Sequence, residues 1–255
     1  MLQVDTTDTV APDSRLQDVL QALAAPPPGV DMVVLPELWL PGAFNAANFA
    51  DLAEPVDGPL SVALGQAAAA TGVWLHAGSI VEVDADALFN TSLLFTPGGE
   101  LAGRYRKIHL FGFGSGESDL LTGGEQVVVV DTPLGKTGLS TCYDLRFPEL
   151  YRAQRELGAA AYLVPSGWPA ARVGAWRSLA TARAVENQAV FVGANAVGRS
   201  GDVQLGGESV VVSPDGTELA VGPSETPGWV VAQVDPGQAH AARDQFPTYA
   251  DRRIR

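Results

Sequence analysis

The chain reads as an α/β protein: a four-layer α-β-β-α sandwich of two mixed sheets with a pseudo-twofold internal repeat. Three observations lead there. Short β-branched runs alternate with Ala/Leu-rich stretches, the pattern of an α/β domain. Shifted by 117 positions, Ser61–Gly99 lies on Ser178–Gly216 without a gap, as expected of two similar halves. At 255 residues and 46% apolar, the chain is long enough to bury a large core. With no linker visible, residues 1–255 are expected to form one domain.

Strands are expected where apolar runs are short: Met32–Leu35, Val73–Ile80, Thr91–Phe95, Gln126–Val130, Gly138–Thr141, Ala161–Val164, Ala189–Ala194, Glu208–Val212 and Trp229–Val234. Helices are expected over Ser14–Ala24, Pro59–Ala70, Pro148–Leu157 and Gly174–Asn187. The last carries Trp176, Leu179, Ala180 and Ala184 at helical spacing. Pro148 suits a first helical turn. Thr96-Pro-Gly-Gly and Ser213-Pro-Asp-Gly have hairpin-turn chemistry and fall on each other under the 117-residue shift. So do Val73-Trp-Leu-His-Ala and Val190-Phe-Val-Gly-Ala.

Composition narrows the function. Sixteen basic against 29 acidic residues give a net charge of −13, which argues against a nucleic-acid binder or docking on an anionic membrane. No apolar run approaches the length of a membrane span, and the first residues show no signal-peptide pattern. A single cysteine excludes an intrachain disulfide and fits a reducing, cytoplasmic setting. His76, His109 and His240 show no metal-ligand spacing, and no Gly-x-Ser-x-Gly elbow, P-loop or full dinucleotide fingerprint is present.

Four residues stand out as candidates for chemistry. Cys142 follows an apolar strand and precedes a helix, where a thiol is exposed near backbone N–H donors; buried packing is the ordinary fate of a lone cysteine. Glu37 lies in an apolar stretch, a costly place for an unpaired carboxylate, and reads as a general base or as a turn residue facing water. Lys107 reads as a cation beside a developing oxyanion or as a solvated strand end. Glu117, in the glycine-rich loop Gly112-Phe-Gly-Ser-Gly-Glu-Ser, reads as a site residue or a surface charge.

Together these segments resemble a known family. Val33-Val-Leu-Pro-Glu-Leu-Trp-Leu-Pro-Gly, Tyr105-Arg-Lys-Ile-His-Leu-Phe and Ser140-Thr-Cys-Tyr-Asp-Leu-Arg-Phe-Pro-Glu-Leu are similar to the three signature segments of nitrilase-superfamily carbon–nitrogen hydrolases. Ala182-Arg-Ala-Val-Glu-Asn-Gln and Gly206-Gly-Glu-Ser extend the likeness. The resemblance implies the sandwich fold, a Glu37–Lys107–Cys142 triad and Glu117 as a second glutamate. It also implies pairing into a homodimer or larger homo-oligomer.

Cys142-Tyr-Asp-Leu-Arg-Phe-Pro-Glu and Gly167-Trp-Pro-Ala-Ala-Arg resemble the amidase, ω-amidase-like branches. The implied reaction is hydrolysis of a small amide through a thioester, without metal or organic cofactor. Glu37 would take the thiol proton, Lys107 and the Tyr143 backbone N–H would hold the oxyanion, and Glu117 would position water. Tyr143, Trp168 and Phe111 are expected pocket walls, and Arg172 or Arg146 a carboxylate contact, with an Asp or Glu partner the preferred reading for Arg146. The alternatives are a nitrilase or N-carbamoyl hydrolase with the same triad, and a non-catalytic interaction protein of this fold.

Overall fold

The computed structural model describes residues 1–112 and 116–254; residues 113–115 of the glycine-rich loop and the last residue lie outside it. The elements run β1 (Leu2–Gln3), α1 (Pro12–Ala24), β2 (Met32–Val34), α2 (Pro59–Thr71), β3 (Trp74–Asp84), β4 (Ala87–Phe95), β5 (Leu101–Arg106), α3 (Glu117–Leu120), β6 (Val128–Thr132) and β7 (Gly135–Leu139). Then follow α4 (Pro148–Glu156), β8 (Ala161–Ser166), α5 (Val173–Asn187), β9 (Val190–Asn195), β10 (Arg199–Ser200), β11 (Val203–Gln204), β12 (Val210–Val212), β13 (Glu218–Val221), β14 (Gly228–Trp229) and α6 (Gln238–Gln245). No helix among the described residues is long and apolar enough to cross a membrane.

Two mixed sheets carry the architecture. One has the order β2-β3-β4-β5, with β2 parallel to β3 and the other pairs antiparallel. The other has the order β13-β12-β9-β8-β7-β6, with β7, β8 and β9 parallel and both flanks antiparallel.

Period-two alternation sorts each strand into two layers. Val33, Leu35, Leu93 and Phe95 pack with Val19 and Leu23 of α1 and Leu60, Leu64 and Ala68 of α2. Their neighbours Val34 and Leu94 face the other way, into a cluster with Leu139, Leu163 and Val192 of the second sheet. That cluster continues to Tyr151 of α4 and Trp176, Ala180 and Ala184 of α5. The layers are therefore helices, sheet, sheet, helices, as the sequence predicts. Each fully buried aliphatic side chain contributes about 1.5–3 kcal/mol.

The internal repeat is visible in hydrogen bonds. Gly99 N–H donates to Thr96 O and Gly216 N–H to Ser213 O, each at 2.9 Å. Thr96 N–H donates to Glu100 O (2.8 Å), and Ser213 N–H to Thr217 O (2.9 Å). β4 pairs with β5 as Leu93↔Arg104 and Leu94↔Gly103, and β12 with β13 as Val210↔Val221 and Val211↔Ala220. Even the register irregularity recurs at the matching step, Leu94/Phe95 and Val211/Val212.

Several elements depart from the sequence reading. The strand expected over Trp229–Val234 is confined to Gly228–Trp229, because its partner β1 offers only two paired residues. The edge strands β5 and β13 and the polar helix α6 were not anticipated. Gly103 interrupts the strand pattern of β5 for a packing reason. A Cβ there would meet Val130 Cγ2 at 2.8 Å and Leu139 Cδ1 at 3.3 Å, where the two sheets approach.

His76 sits fully buried in β3, its register partners Val34 and Leu94 lying in the inter-sheet cluster. Its Nδ1 accepts from Gly78 N–H (3.3 Å), and its Nε2 has no partner among the described residues. Burial lowers its pKa to about 3. The unfolded chain takes up this proton near pH 6.5 and the folded chain only near 3, so stability is lost as pH falls through that window. Between pH 6.5 and 5 the loss from His76 should be about 2 kcal/mol. His76→Leu should flatten this slope; urea midpoints at pH 7 and 5 measure it, and an unchanged slope contradicts the assignment.

Candidate active site

The candidate residues meet beyond the carboxyl ends of parallel strands, where open α/β sheets form their clefts. Glu37 follows β2 on a turn laid directly over β3. Leu35 N–H donates to His76 O (2.9 Å), Leu38 N–H to Ser79 Oγ (3.0 Å) and Trp39 Nε1 to Ala77 O (3.0 Å). Gly78, at φ 70°, makes this approach possible, since a Cβ there would lie 1.8 Å from Pro36 O. Lys107 extends the β4–β5 ladder by one step, its N–H donating to Asn90 O (2.8 Å).

Cys142 ends the stretch after β7 and opens a 3-10 turn, Cys142–Arg146. It has φ 45°, a left-handed conformation that costs a non-glycine residue about 1–3 kcal/mol and clusters at functional sites. As first residues of the turn, Cys142 and Tyr143 have N–H groups with no acceptor within it.

The side chains of Glu37, Lys107, Glu117 and Cys142 converge in buried surroundings. Lys107 Nζ lies 2.7 Å from Glu37 Oε1 and 2.6 Å from Glu117 Oε2. Glu37 Oε2 accepts from Gly167 N–H (2.9 Å), and Glu117 Oε2 from Phe111 N–H (2.9 Å). Cys142, Glu37 and Gly167 line the same cavity, the sulfur close enough to the Glu37 carboxylate and the Gly167 N–H for both to bear on its proton.

Electrostatics follow from this packing. Burial first, then the Glu37 carboxylate, push the Cys142 thiol well above its ordinary pKa, with Lys107 opposing in part. The resting sulfur is therefore protonated. Burial alone would lower Lys107, but Glu117 and Glu37 outweigh it and hold the ammonium charged well beyond the usual lysine range. Glu117 is raised by burial, with Lys107 opposing and Glu37 adding to the rise.

These groups line a cavity of about 760 Å³. Its walls include all four residues expected from the sequence as pocket contacts. Tyr143 stands edge-on to Phe111 (5.2 Å, 80°), and Phe44 edge-on to Phe111 (6.0 Å, 79°). Trp168 is fixed by Asn195 Oδ1 at its N–H (2.6 Å) and donates Nε1 to Arg172 O (2.8 Å). The Arg172 guanidinium lies over the Phe111 ring at 5.9 Å. Arg146 departs from its expected pairing with an acidic residue. Its guanidinium lies 4.9 Å over the Trp168 ring, because the turn after Cys142 aims it into the cavity, and it meets no carboxylate among the described residues.

Two residues missed in the sequence organise the site. Asn90, in β4, donates from Nδ2 to Glu37 Oε1 (2.9 Å) and Glu117 Oε1 (2.5 Å). Its signal was a polar run, Asn90-Thr-Ser, inside an apolar strand. Asp144, wholly buried, accepts from Tyr105 Oη (2.6 Å), His109 N–H (3.0 Å) and Thr141 N–H (2.9 Å), and contacts His109 Nδ1 (2.7 Å). It ties the segment carrying Lys107 to the turn carrying Cys142.

Comparison with known proteins places this geometry. The carbon–nitrogen hydrolase family model matches residues 6–244. A 2-oxoglutaramate amidase of Paenarthrobacter nicotinovorans is 38% identical over 248 residues, covering 94% of this chain and 83% of that protein. The human omega-amidase is 33% identical over 234 residues, covering 88% and 84%. The structure is also similar, with a TM-score of 0.82 and 27% identity over 98% of this chain and 97% of the other, to an amidase mutant from Nesterenkonia sp. AN1 showing Michael addition of acrylamide at the active site cysteine. A chain so matched in sequence and architecture belongs to the carbon–nitrogen hydrolase family of the nitrilase superfamily and is a hydrolase of non-peptide amides.

Proposed function

We propose that the substrate is a small ω-amide bearing a free carboxylate, and that its amide is hydrolysed through a thioester on Cys142. The observation that carries this reading is the placement of Lys107 Nζ within 2.7 Å of both carboxylates, in the cavity that Cys142 also lines. In this mechanism Glu37 takes the thiol proton as sulfur attacks the carbonyl carbon. An ionised thiolate beside a carboxylate is disfavoured, so proton loss and attack go together. Lys107 and the Tyr143 N–H hold the oxyanion, each donor being worth about 3–4 kcal/mol of barrier. Glu37 returns the proton to nitrogen, the C–N bond breaks and ammonia leaves the thioester. Water, deprotonated by Glu37 and positioned by Glu117, displaces sulfur; the acid departs and the thiol regains its proton. Cytoplasmic residence, which suits the lone thiol, belongs to the same proposal.

Two features support the carboxylate. Arg146 and Arg172 both line the cavity, and neither reaches a carboxylate among the described residues. A relative over nearly the whole chain is named for 2-oxoglutaramate.

The test is ammonia release from four- and five-carbon ω-amides, their methyl esters, nitriles and carbamoyl compounds, with intact-mass detection of adducts on Cys142. The free acids should exceed the esters roughly 10–100-fold in kcat/KM, the value of a charge-assisted hydrogen bond of about 1.5–3 kcal/mol. The adduct should vanish in Cys142→Ala. Equal acids and esters would remove the arginines from the reading. Release from nitriles or carbamoyl compounds alone would replace the amide.

A further inference from the structure

We infer that Asn90 is a positioning residue that selects which oxygen of Glu37 receives the thiol proton. The inference rests on the mechanism proposed above. Asn90 is fully buried in the middle of β4, and its one amide nitrogen reaches both glutamates, Glu37 Oε1 at 2.9 Å and Glu117 Oε1 at 2.5 Å. Lys107 Nζ reaches the same two residues, at Glu37 Oε1 and Glu117 Oε2. Four side chains thereby close a ring of hydrogen bonds.

Lone-pair accounting gives the ring its consequence. Each carboxylate oxygen offers two acceptor sites. Glu37 Oε1 has both committed, to Lys107 and Asn90. Glu37 Oε2 has one committed, to the N–H of Gly167, which shares the cavity wall with Cys142. The open site of Glu37 therefore lies on the cysteine's side. Without Asn90, Oε1 would regain an open acceptor site and compete with Oε2 for the proton.

The residue type fits the task. A hydroxyl has one hydrogen and cannot donate to both carboxylates, and a second cation would change the charge of the pocket. Asn90 Oδ1 has no hydrogen-bond partner among the described residues. A side chain present only to fill this volume would not carry that unsatisfied oxygen, whereas one needed for its two N–H groups must.

Asn90→Leu tests the inference. The kcat of the variant should fall about 10²-fold with KM within about threefold of the parent, since Asn90 does not line the cavity. The acid limb of kcat/KM should move to higher pH, because the lost N–H donors no longer favour the charged carboxylates. The charged groups facing the pair stay in place: Lys107 beyond β5, the Cys142 turn with Arg146, and Arg172 and Asp202 on the cavity wall. Iodoacetamide alkylation of Cys142 needs no amide substrate and should show the same displaced limb. A displaced alkylation limb in a chain that releases no ammonia would thus uphold Asn90 while removing the amide reading.

Asn90→Asp keeps the shape and puts a third carboxylate where the donors were. Its limb should move further up, and it decides the matter alone if Asn90→Leu does not fold. Limbs unmoved in folded variants, or a loss confined to KM, overturn the inference.

Discussion

Lys107→Met should cost about 3–5 kcal/mol of stability at neutral pH together with about 10²–10³-fold in kcat. The stability loss arises because Glu37 and Glu117, both nearly inaccessible, share this ammonium as their cation within hydrogen-bond distance. Removing it leaves two buried carboxylates bridged only by the neutral amide of Asn90. One of them must then hold a proton that the unfolded chain would release near pH 4.3. A carboxyl raised in the folded state is favourable below its unfolded pKa and loses that advantage as pH rises through the raised value. The deficit of the variant should therefore be small near pH 5 and grow toward pH 8. Urea unfolding of parent and variant at pH 5.5 and 8 separates this from simple loss of packing, which would give the same deficit at both. Lys107→Arg should not restore activity, because the planar fork cannot place one nitrogen between both carboxylates as a compact ammonium does.

The layers of this fold were legible because they depend on patterns a sequence displays. Alternation in Leu93-Leu-Phe assigns one side chain to the sheet–sheet layer and its neighbours to the helices. The turn pairs at Thr96 and Ser213 recur because each half closes its hairpin with the same chemistry. The edge strands were harder to read. Leu101-Ala-Gly-Arg-Tyr-Arg pairs on one side only and carries a glycine demanded by Val130 and Leu139 of the other sheet, contacts the strand's own pattern cannot reveal. Cys142, Glu37 and Lys107 were identifiable through their flanking segments, but their distances depend on three separate strand ends. Asn90 and Asp144 were not found, because a buried polar residue acquires meaning only from its partners, and those lie 27 to 53 residues away for Asn90 and as far as 39 for Asp144.

Asp144→Ala is the second substitution expected to act on fold and chemistry together. Tyr105 Oη, His109 N–H and Thr141 N–H all donate to this one carboxylate, and the His109 ring lies against it. Truncation leaves the buried Tyr105 and Thr141 donors without an acceptor, at about 1–3 kcal/mol each, and frees the half-buried His109 N–H at a smaller cost. Partial relaxation and water entry make the sum smaller than its parts, so a loss of about 3 kcal/mol or more is expected. The catalytic consequence follows from position. The 3-10 turn holds Cys142 at a positive φ, and Asp144 latches that turn at both Thr141 N–H and the Tyr105–His109 segment around Lys107. Released, the sulfur and the ammonium can drift apart, and a displacement of about 1 Å costs about 10²-fold in rate. Tyr105→Phe removes one donor and leaves the latch at Thr141 intact, so it should lose stability while retaining most of kcat. Measured side by side, a kcat falling about 10²-fold in Asp144→Ala but little in Tyr105→Phe supports the latch. Equal kcat losses at unequal stability would mean that Asp144 acts through the fold alone, and Cys142 keeps its place without it.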